Sequence, residues 1–495
     1  MKNNSLLRLT ATFLAAIISL TAIASCSDTA DTTDTSTTTG TTAADNAEDT
    51  TVPDDIPGFY KDGLETVDYA GYSFRVYSRD DTWFNGNISV EELNGEGMND
   101  AVYGRNLAVS DRFNIEIVET VGTNTDLARA TVIANEDAFD MINARCTAAL
   151  SMAQEGILIE ISDLPNINLS KPYWDDSLTN DLAMGPFCYF AVGDLNLTFY
   201  DYTSVLLFNK QLVDDFQLES PYELVDANKW TFDKYLELAS ASVSDLDGNG
   251  TMNNQDLYGT IGTPHFVGYT LALGTGVKSI NKDANNYPVY EIETDAKFIE
   301  VFERVFEIMW DSGQWFQTTI TDQTSATLVN MFKNNQGLFF STNFFNVPSL
   351  RDMDTEFGIL PFPKYNEAQE NFITRISFFD MFAVPITVAD PDRTSRIIEA
   401  LTCESGNTVI PAYYDIALKT KIARDEQSQA MLDLIMANRV IDCGDTIWVD
   451  LIRDSWLAPM FLNNNRTIVS TAAKFTKTIG KRLDAMIETF EKIKG

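Results

Sequence analysis

Histidine is nearly absent from this chain: His265 is the only one in 495 residues. A two-histidine metal centre is therefore excluded. A Ser-His-Asp triad would have to use His265, inside "TPHFVGY", and the sequence contains no G-x-S-x-G turn to carry the serine. Positive charge is also scarce, with 35 Lys+Arg against 72 Asp+Glu and a net charge of −37. Such a surface repels phosphate backbones, which argues against nucleic acid, and it offers no basic patch for anionic lipid. Cations and neutral, polyhydroxyl solutes remain open. Cysteine amounts to five residues, with no C-x-x-C and no Cys/His metal spacing.

Long apolar runs are missing after the first 26 residues. Lys2 and Arg8 precede an apolar stretch over residues 9–22, too short for a comfortable membrane span and of the length of a secretory h-region. It ends in Ile23, Ala24, Ser25 and Cys26, which resembles a bacterial lipobox. Residues 1–26 are therefore expected to be a lipoprotein signal peptide, with Cys26 lipidated and the chain held at the outer face of the cytoplasmic membrane through that anchor alone. Two acyl chains suffice for stable anchoring, at about 0.8 kcal/mol per buried CH₂. Residues 27–55 have no Lys, no Arg and no aromatic. A stretch of that kind cannot bury enough surface to offset its ordering entropy, so 27–65 is expected to be an acidic, Thr/Asp-rich disordered tether. After cleavage Cys146, Cys188, Cys403 and Cys443 remain; Cys403 with Cys443 is the disulfide to test first, with buried free thiols as the alternative.

From about residue 66 short apolar strands alternate with amphipathic helices, the pattern of an α/β architecture. "YSFRVYS" reads as a strand, "GMNDAVYGRNLAVSDRF" as a helix and "NIEIVETV" as the next strand. Helical stripes appear at Phe298, Phe302, Val305 and Met309, and at Phe475, Ile479, Leu483, Met486, Phe490 and Ile493; both read as packing faces. Strand-rich blocks recur at 66–165, 186–210, "QGLFFSTNFF" and "EFGILPFP", as if the chain left one sheet and later returned to it.

Several blocks then resemble the family 1 extracellular solute-binding proteins, the substrate-binding lipoproteins of ABC importers. "SVLLFNKQLVDDFQLESPYELVDANKWTFDKYLELA" resembles the stretch that opens the family's second lobe, with a Trp-Thr-aromatic-Asp turn at Trp230 to Asp233. "FGILPFPKYNEAQ", "FAVPITVADPDRTSRIIEAL" and "AYYDIALKTKIARDEQSQAMLDLI" follow in the family's order, the last as in its carbohydrate-leaning branch. The resemblance implies a periplasmic-binding-protein-like type II fold: two α/β lobes with mostly parallel sheets, joined by a hinge, with no catalysis. The lobes are expected at 66–185 plus 336–380 and at 186–335 plus 381–495. It also implies a monomer that captures a small solute, a mono- or oligosaccharide, by hinge closure and hands it to permease subunits. Peptide, polyamine or another solute on the same fold, or a glycan-hydrolysing surface lipoprotein, are the alternatives; nothing singles out a carboxylate pair for hydrolysis.

Sugar sites need aromatic faces and planar polar groups at the carboxyl ends of strands. Arg79, Asp81 and Trp83 follow the first strand, and Arg145 and Thr147 follow "FDMINA". Arg145 has a structural ion pair as its alternative. Trp174 lies near the expected first crossing, Asp194, Asn196 and Tyr200 at the start of the second lobe, and Asn343 and Phe345 near the return strand; Tyr413, with Tyr414 and Trp448, is a second-lobe candidate. Core packing is the favoured reading of Phe345 and the alternative for Trp83. Separately, "DLDGNGTMNNQD" carries calcium-loop spacing: Asp245, Asp247 and Asn249 at one, three and five, Gly250 at six, the Thr251 carbonyl, and Asp256 at twelve. Asp in place of Glu at twelve shortens the reach. "LYGTIGTP" supplies no exit helix, so a structural Ca²⁺ is expected rather than a sensor, with a metal-free Asp/Gly/Asn turn as the alternative.

Overall fold

The computed structural model describes residues 59–79, 88–317, 325–419 and 426–494. The signal-peptide, lipidation and most tether expectations (1–58), with Asp81 and Trp83, lie outside the described residues. The end of the expected tether is packed: Asp62 pairs with Arg112, and the Tyr60 N–H donates to Asn407 Oδ1 over 2.6 Å. Tyr60 and Leu64 lie against the first lobe's core, so the folded part includes residues before 66.

Two four-stranded sheets organise the chain. In the first, Tyr72–Arg79 lies between Ile115–Gly122 and Met141–Arg145, parallel to both, and Asp380–Ala383 closes the edge antiparallel to Met141–Arg145. In the second, Ser204–Asn209 runs antiparallel to Gly337–Asn343 and Phe357–Leu360, and Tyr258–Ile261 adds parallel to Gly337–Asn343. In the second sheet the central strands Ser204–Asn209 and Gly337–Asn343 are buried along their length and read as near-continuous apolar runs, whereas Tyr72–Arg79 in the first sheet is partly buried at both ends. The helix Gly97–Phe113 covers the first sheet; its left-handed C-cap, Asn114, ends it one residue before the next strand.

The strand partners correct the expected lobe boundaries. Gly337–Asn343 and Phe357–Leu360 belong to the second sheet, and Asp380–Ala383 to the first. The return crossing therefore falls near residue 376, not near 336. Apolar strand runs look alike whichever sheet they join, which is why the sequence misplaced them. The helix Pro391–Glu404 then packs on the first lobe's core through Ile397, Ile398 and Leu401, while Leu432 and Ile435 pack in the second lobe, so the chain crosses once more between them.

The final helix, Ile468–Lys494, buries Ile479, Leu483, Met486 and Phe490, and Phe490 stacks on Tyr189 at 5.2 Å; Ile493, at the stripe's end, is 41% exposed. The Cys403–Cys443 pairing is not formed. All four described cysteines are free thiols; Cys403 sits in the first lobe's core, and Cys443 donates to the Asp181 carbonyl. Burial pushes both thiols up to about 12. No helix among the described residues is long and apolar enough to cross a membrane.

Candidate functional site

The outgoing crossing, 196–203, and the returning one, 376–380, run side by side between the sheets. Asn196 Nδ2 donates to the Asp380 carbonyl, the Asp380 N–H donates to Thr198 Oγ1 over 2.8 Å, and the Ser377 N–H donates to the Tyr202 carbonyl over 3.4 Å. Buried backbone groups need such partners, and here each crossing supplies the other's. Phe379 is buried against Phe199, whereas the adjacent Phe378 is only partly buried.

Phe378 is the centre of the candidate cleft. The first-sheet strands end beside it, at Arg79 and Arg145. Arg79 Nη2 lies 3.4 Å from Asp380 Oδ1, and the Arg145 guanidinium sits over the Phe378 ring at 4.8 Å. Arg453 approaches the same ring at 4.4 Å. From the second-lobe side, Tyr202 meets Phe378 edge-on at 5.8 Å, and Phe345 stacks on Tyr202 at 6.3 Å. Beneath, Asp445 accepts from Arg375 at 2.6 and 2.8 Å and from Arg453 at 3.1 Å, and Arg375 also reaches the His265 carbonyl. Burial, with Arg453 and Arg375 nearby, holds the His265 ring well below its ordinary pKa and hence neutral at pH 7.

Of the residues singled out from sequence, Arg145 reaches Phe378, Phe345 reaches Tyr202, and Arg79 reaches Asp380 two residues beyond Phe378. Thr147, partly buried, lies two residues beyond Arg145 in the helix Cys146–Gln154. Asn343 is buried and accepts from Asn346 Nδ2 over 3.2 Å. Asn196 is a crossing staple, as described. Trp174 lies away from Phe378: its indole N–H donates to Glu399 Oε2 over 2.9 Å, its ring packs 5.7 Å from Phe382 in the first lobe's core, and it lines a separate cavity with Asp194 and Tyr200. Trp448 is likewise buried, 5% exposed.

Asp194, Tyr200 and Tyr413 form a separate network beside the crossings. Tyr200 donates to Asp194 over 2.5 Å, Tyr413 donates to Asp201 over 3.0 Å, and Tyr200 lies 5.6 Å from Tyr413 and 6.3 Å from Tyr414. Burial raises both Asp194 and Asp201 to about 7. With Asp175 and Arg439, Asp194 and Tyr200 line a cavity of about 220 Å³. Sequence reading missed Phe378, Tyr202 and Arg453; only the short apolar "ISFFD" between two strands hinted that a crossing ran there.

The calcium-type loop joins the helix Phe232–Ala241 to the strand Tyr258–Ile261, with a bridge between Ser244 and Leu257 at its base. One carboxylate oxygen each from Asp245, Asp247 and Asp256 lies within 4.8 Å of the others. Asp256 is fully buried and Gly250 has φ +78°, which permits the sharp turn. The Gly250 N–H holds the Asp245 carboxyl below its ordinary pKa, keeping it ionised. The donor set fits a hard cation that takes oxygen ligands.

No protein-family model and no curated protein matches the sequence. Solved structures do. A sugar transporter of Rhizobium etli, in an open conformation, superposes with a TM-score of 0.56 at 13% identity, over 85% of this chain and 99% of that one. The GacH receptor of Streptomyces glaucescens, solved unliganded and with acarbose, gives 0.53 at 13% identity, over 83% and 98%. UgpB of Mycobacterium tuberculosis, in complex with glycerophosphocholine, gives 0.51 at 14%, over 79% and 96%. The fold is shared with these solved structures. At these identities the likeness is one of fold, and the ligand has to be argued from this chain's own residues.

Proposed function

We propose that this chain is a lipid-anchored, extracellular solute-binding protein that captures a carbohydrate between its lobes and delivers it to an ABC permease. The observation that carries the reading is the partly buried set Arg79, Arg145, Phe378 and Phe345, which gathers at the carboxyl ends of the first-sheet strands and at the crossings. Aromatic faces there offer a platform for the CH side of a pyranose, and guanidinium N–H groups suit hydroxyl or carboxylate oxygens. A ligand that touches both lobes only when they close shifts the population by its differential affinity for the closed form. Cys26 supplies the anchor in this reading, residues 27–58 the spacing from the membrane, and Ca²⁺ on Asp245, Asp247, Asn249, the Thr251 carbonyl and Asp256 a structural tie. A monomer suffices for the task.

Thermal-shift screening of the purified chain against glycans, amino acids, peptides and polyamines tests the ligand class. A rise in Tm with saccharides alone, and their recovery uncut, supports the proposal. A rise with a peptide or polyamine alone, or cleavage of any glycan, overturns it. Radiolabelled palmitate incorporated by the native chain and lost in Cys26→Ser tests the anchor.

A further inference from the structure

Four arginines gather at the candidate site in a chain whose net charge is −37. Arg79, Arg145, Arg375 and Arg453 surround Phe378 and its floor. Among the described residues the carboxylates facing them are Asp380, which pairs with Arg79 and lies opposite Arg145 in the strand register beyond ion-pair distance, Asp445, shared by Arg375 and Arg453, and the exposed Asp454 for Arg453. His265 adds no charge at pH 7. Arg145 stands apart from the others. Its neighbours at the strand end give it no ion pair and no side-chain hydrogen bond among the described residues, and only the ring of Phe378 holds it. With 72 acidic residues in the chain, a partly buried guanidinium without a carboxylate calls for an explanation.

An aromatic face anchors a guanidinium without consuming its N–H donors. Arg145 thus keeps its planar fork for an oxygen pair, beside the rings on which a pyranose would stack. We infer that the saccharide taken here is acidic, a uronate-containing oligosaccharide whose carboxylate is bound by Arg145. This rests on the carbohydrate reading and narrows it. A carboxylate matches the guanidinium fork in a bidentate pair, which is the strong form of a charge-assisted bond. The net acidity of the rest of the surface repels such a ligand everywhere else, so capture is confined to the cleft.

Calorimetric titration of the full chain with uronate tetrasaccharides, neutral maltotetraose and cellotetraose, and a sulfated tetrasaccharide, at about 20 and 200 mM salt, tests it. The expected result is uronate binding at least about tenfold tighter than the neutral sugars, weakening with salt. Arg145→Gln should lower uronate affinity about tenfold to a hundredfold, the range for one charge-assisted contact, while Arg145→Lys restores part of it. Neutral sugars binding as well as or better than uronates, or the sulfated sugar alone binding, overturns the inference and leaves the carbohydrate reading standing. Binding of no saccharide at all removes both. The comparison of ligands on the unaltered chain decides the matter even if an Arg145 variant fails to fold.

Discussion

Phe199 and Phe379 stack with ring centroids 4.4 Å apart and planes 23° apart, one ring from the outgoing crossing and one from the returning crossing. Both are 1% exposed, so the pair fixes the crossings to each other while Phe378, one residue earlier, is only partly buried and carries the Arg145 and Arg453 guanidiniums over its ring. The two neighbouring phenylalanines are thereby given different tasks.

Phe379→Ala should cost about 3–5 kcal/mol of stability, the usual range for truncating a buried phenylalanine, because the stacked partner is left over a cavity. Phe378→Ala should cost much less in stability but weaken saccharide binding. Denaturant unfolding beside calorimetric titration separates the two; equal loss of stability in both variants would remove the division of roles.

Asp194 and Asp201 link stability to pH. Their folded pKa values, about 7, are raised by burial above the ordinary value of 3.8. The sign follows from proton binding: between pH 4 and 7 the folded chain holds protons that the unfolded chain releases. Their contribution is complete below pH 4 and declines as pH rises to about 7, by at most about 1.4 kcal/mol per pH unit for each group. Asp201→Asn should flatten this slope, measured by urea unfolding from pH 4.5 to 7.5. A slope that the variant leaves unchanged would clear Asp201 of the effect.

Local features were legible in the sequence and long-range ones were not. The helix Gly97–Phe113 and the strand Ile115–Gly122 fall where periodicity placed them, since a single amphipathic face sets each. The Arg79 and Arg145 positions followed from the rule that sites gather at the carboxyl ends of strands. What failed was partner choice. Gly337–Asn343 is buried throughout, and its apolar pattern carries no mark of which sheet it joins. Trp174 shows the same limit: an indole near a crossing can turn toward either side, and here its N–H donates to Glu399 while the residue lines the cavity of Asp194 and Tyr200 rather than reaching Phe378.

The calcium-type loop makes a prediction that is independent of the ligand. If Ca²⁺ ties Asp245, Asp247 and Asp256 together, it stabilises the folded chain by mass action, about 2.7 kcal/mol at a hundredfold excess over Kd. EDTA should lower Tm and Ca²⁺ should restore it, with Mg²⁺ less effective because it demands tighter octahedral geometry. Asp245→Asn with Asp247→Asn should abolish the response while leaving saccharide binding intact. Indifference of Tm to EDTA and to added Ca²⁺ would dismiss the metal.

Asp445 carries the heaviest electrostatic duty under the cleft. Its side chain and that of Arg375 are both 0% exposed, and that of Arg453 is 4% exposed. Desolvating such a group costs several kcal/mol, and here one carboxylate meets both guanidiniums through three contacts, with the exposed Asp454 as a further partner of Arg453 alone. Asp445→Asn keeps the shape and removes the charge, so Arg375 and Arg453 are left facing a neutral amide. Loss of about 3–5 kcal/mol is expected, the range for breaking a buried pair, read by denaturant unfolding. Because Arg453 also rests on Phe378, any folded Asp445→Asn protein should bind its ligand more weakly as well. The double replacement Arg375→Met with Asp445→Leu removes one cation along with the carboxylate and should recover part of the stability without recovering affinity. Equal losses in the single and double variants would show that the charges are not what Asp445 is there to balance.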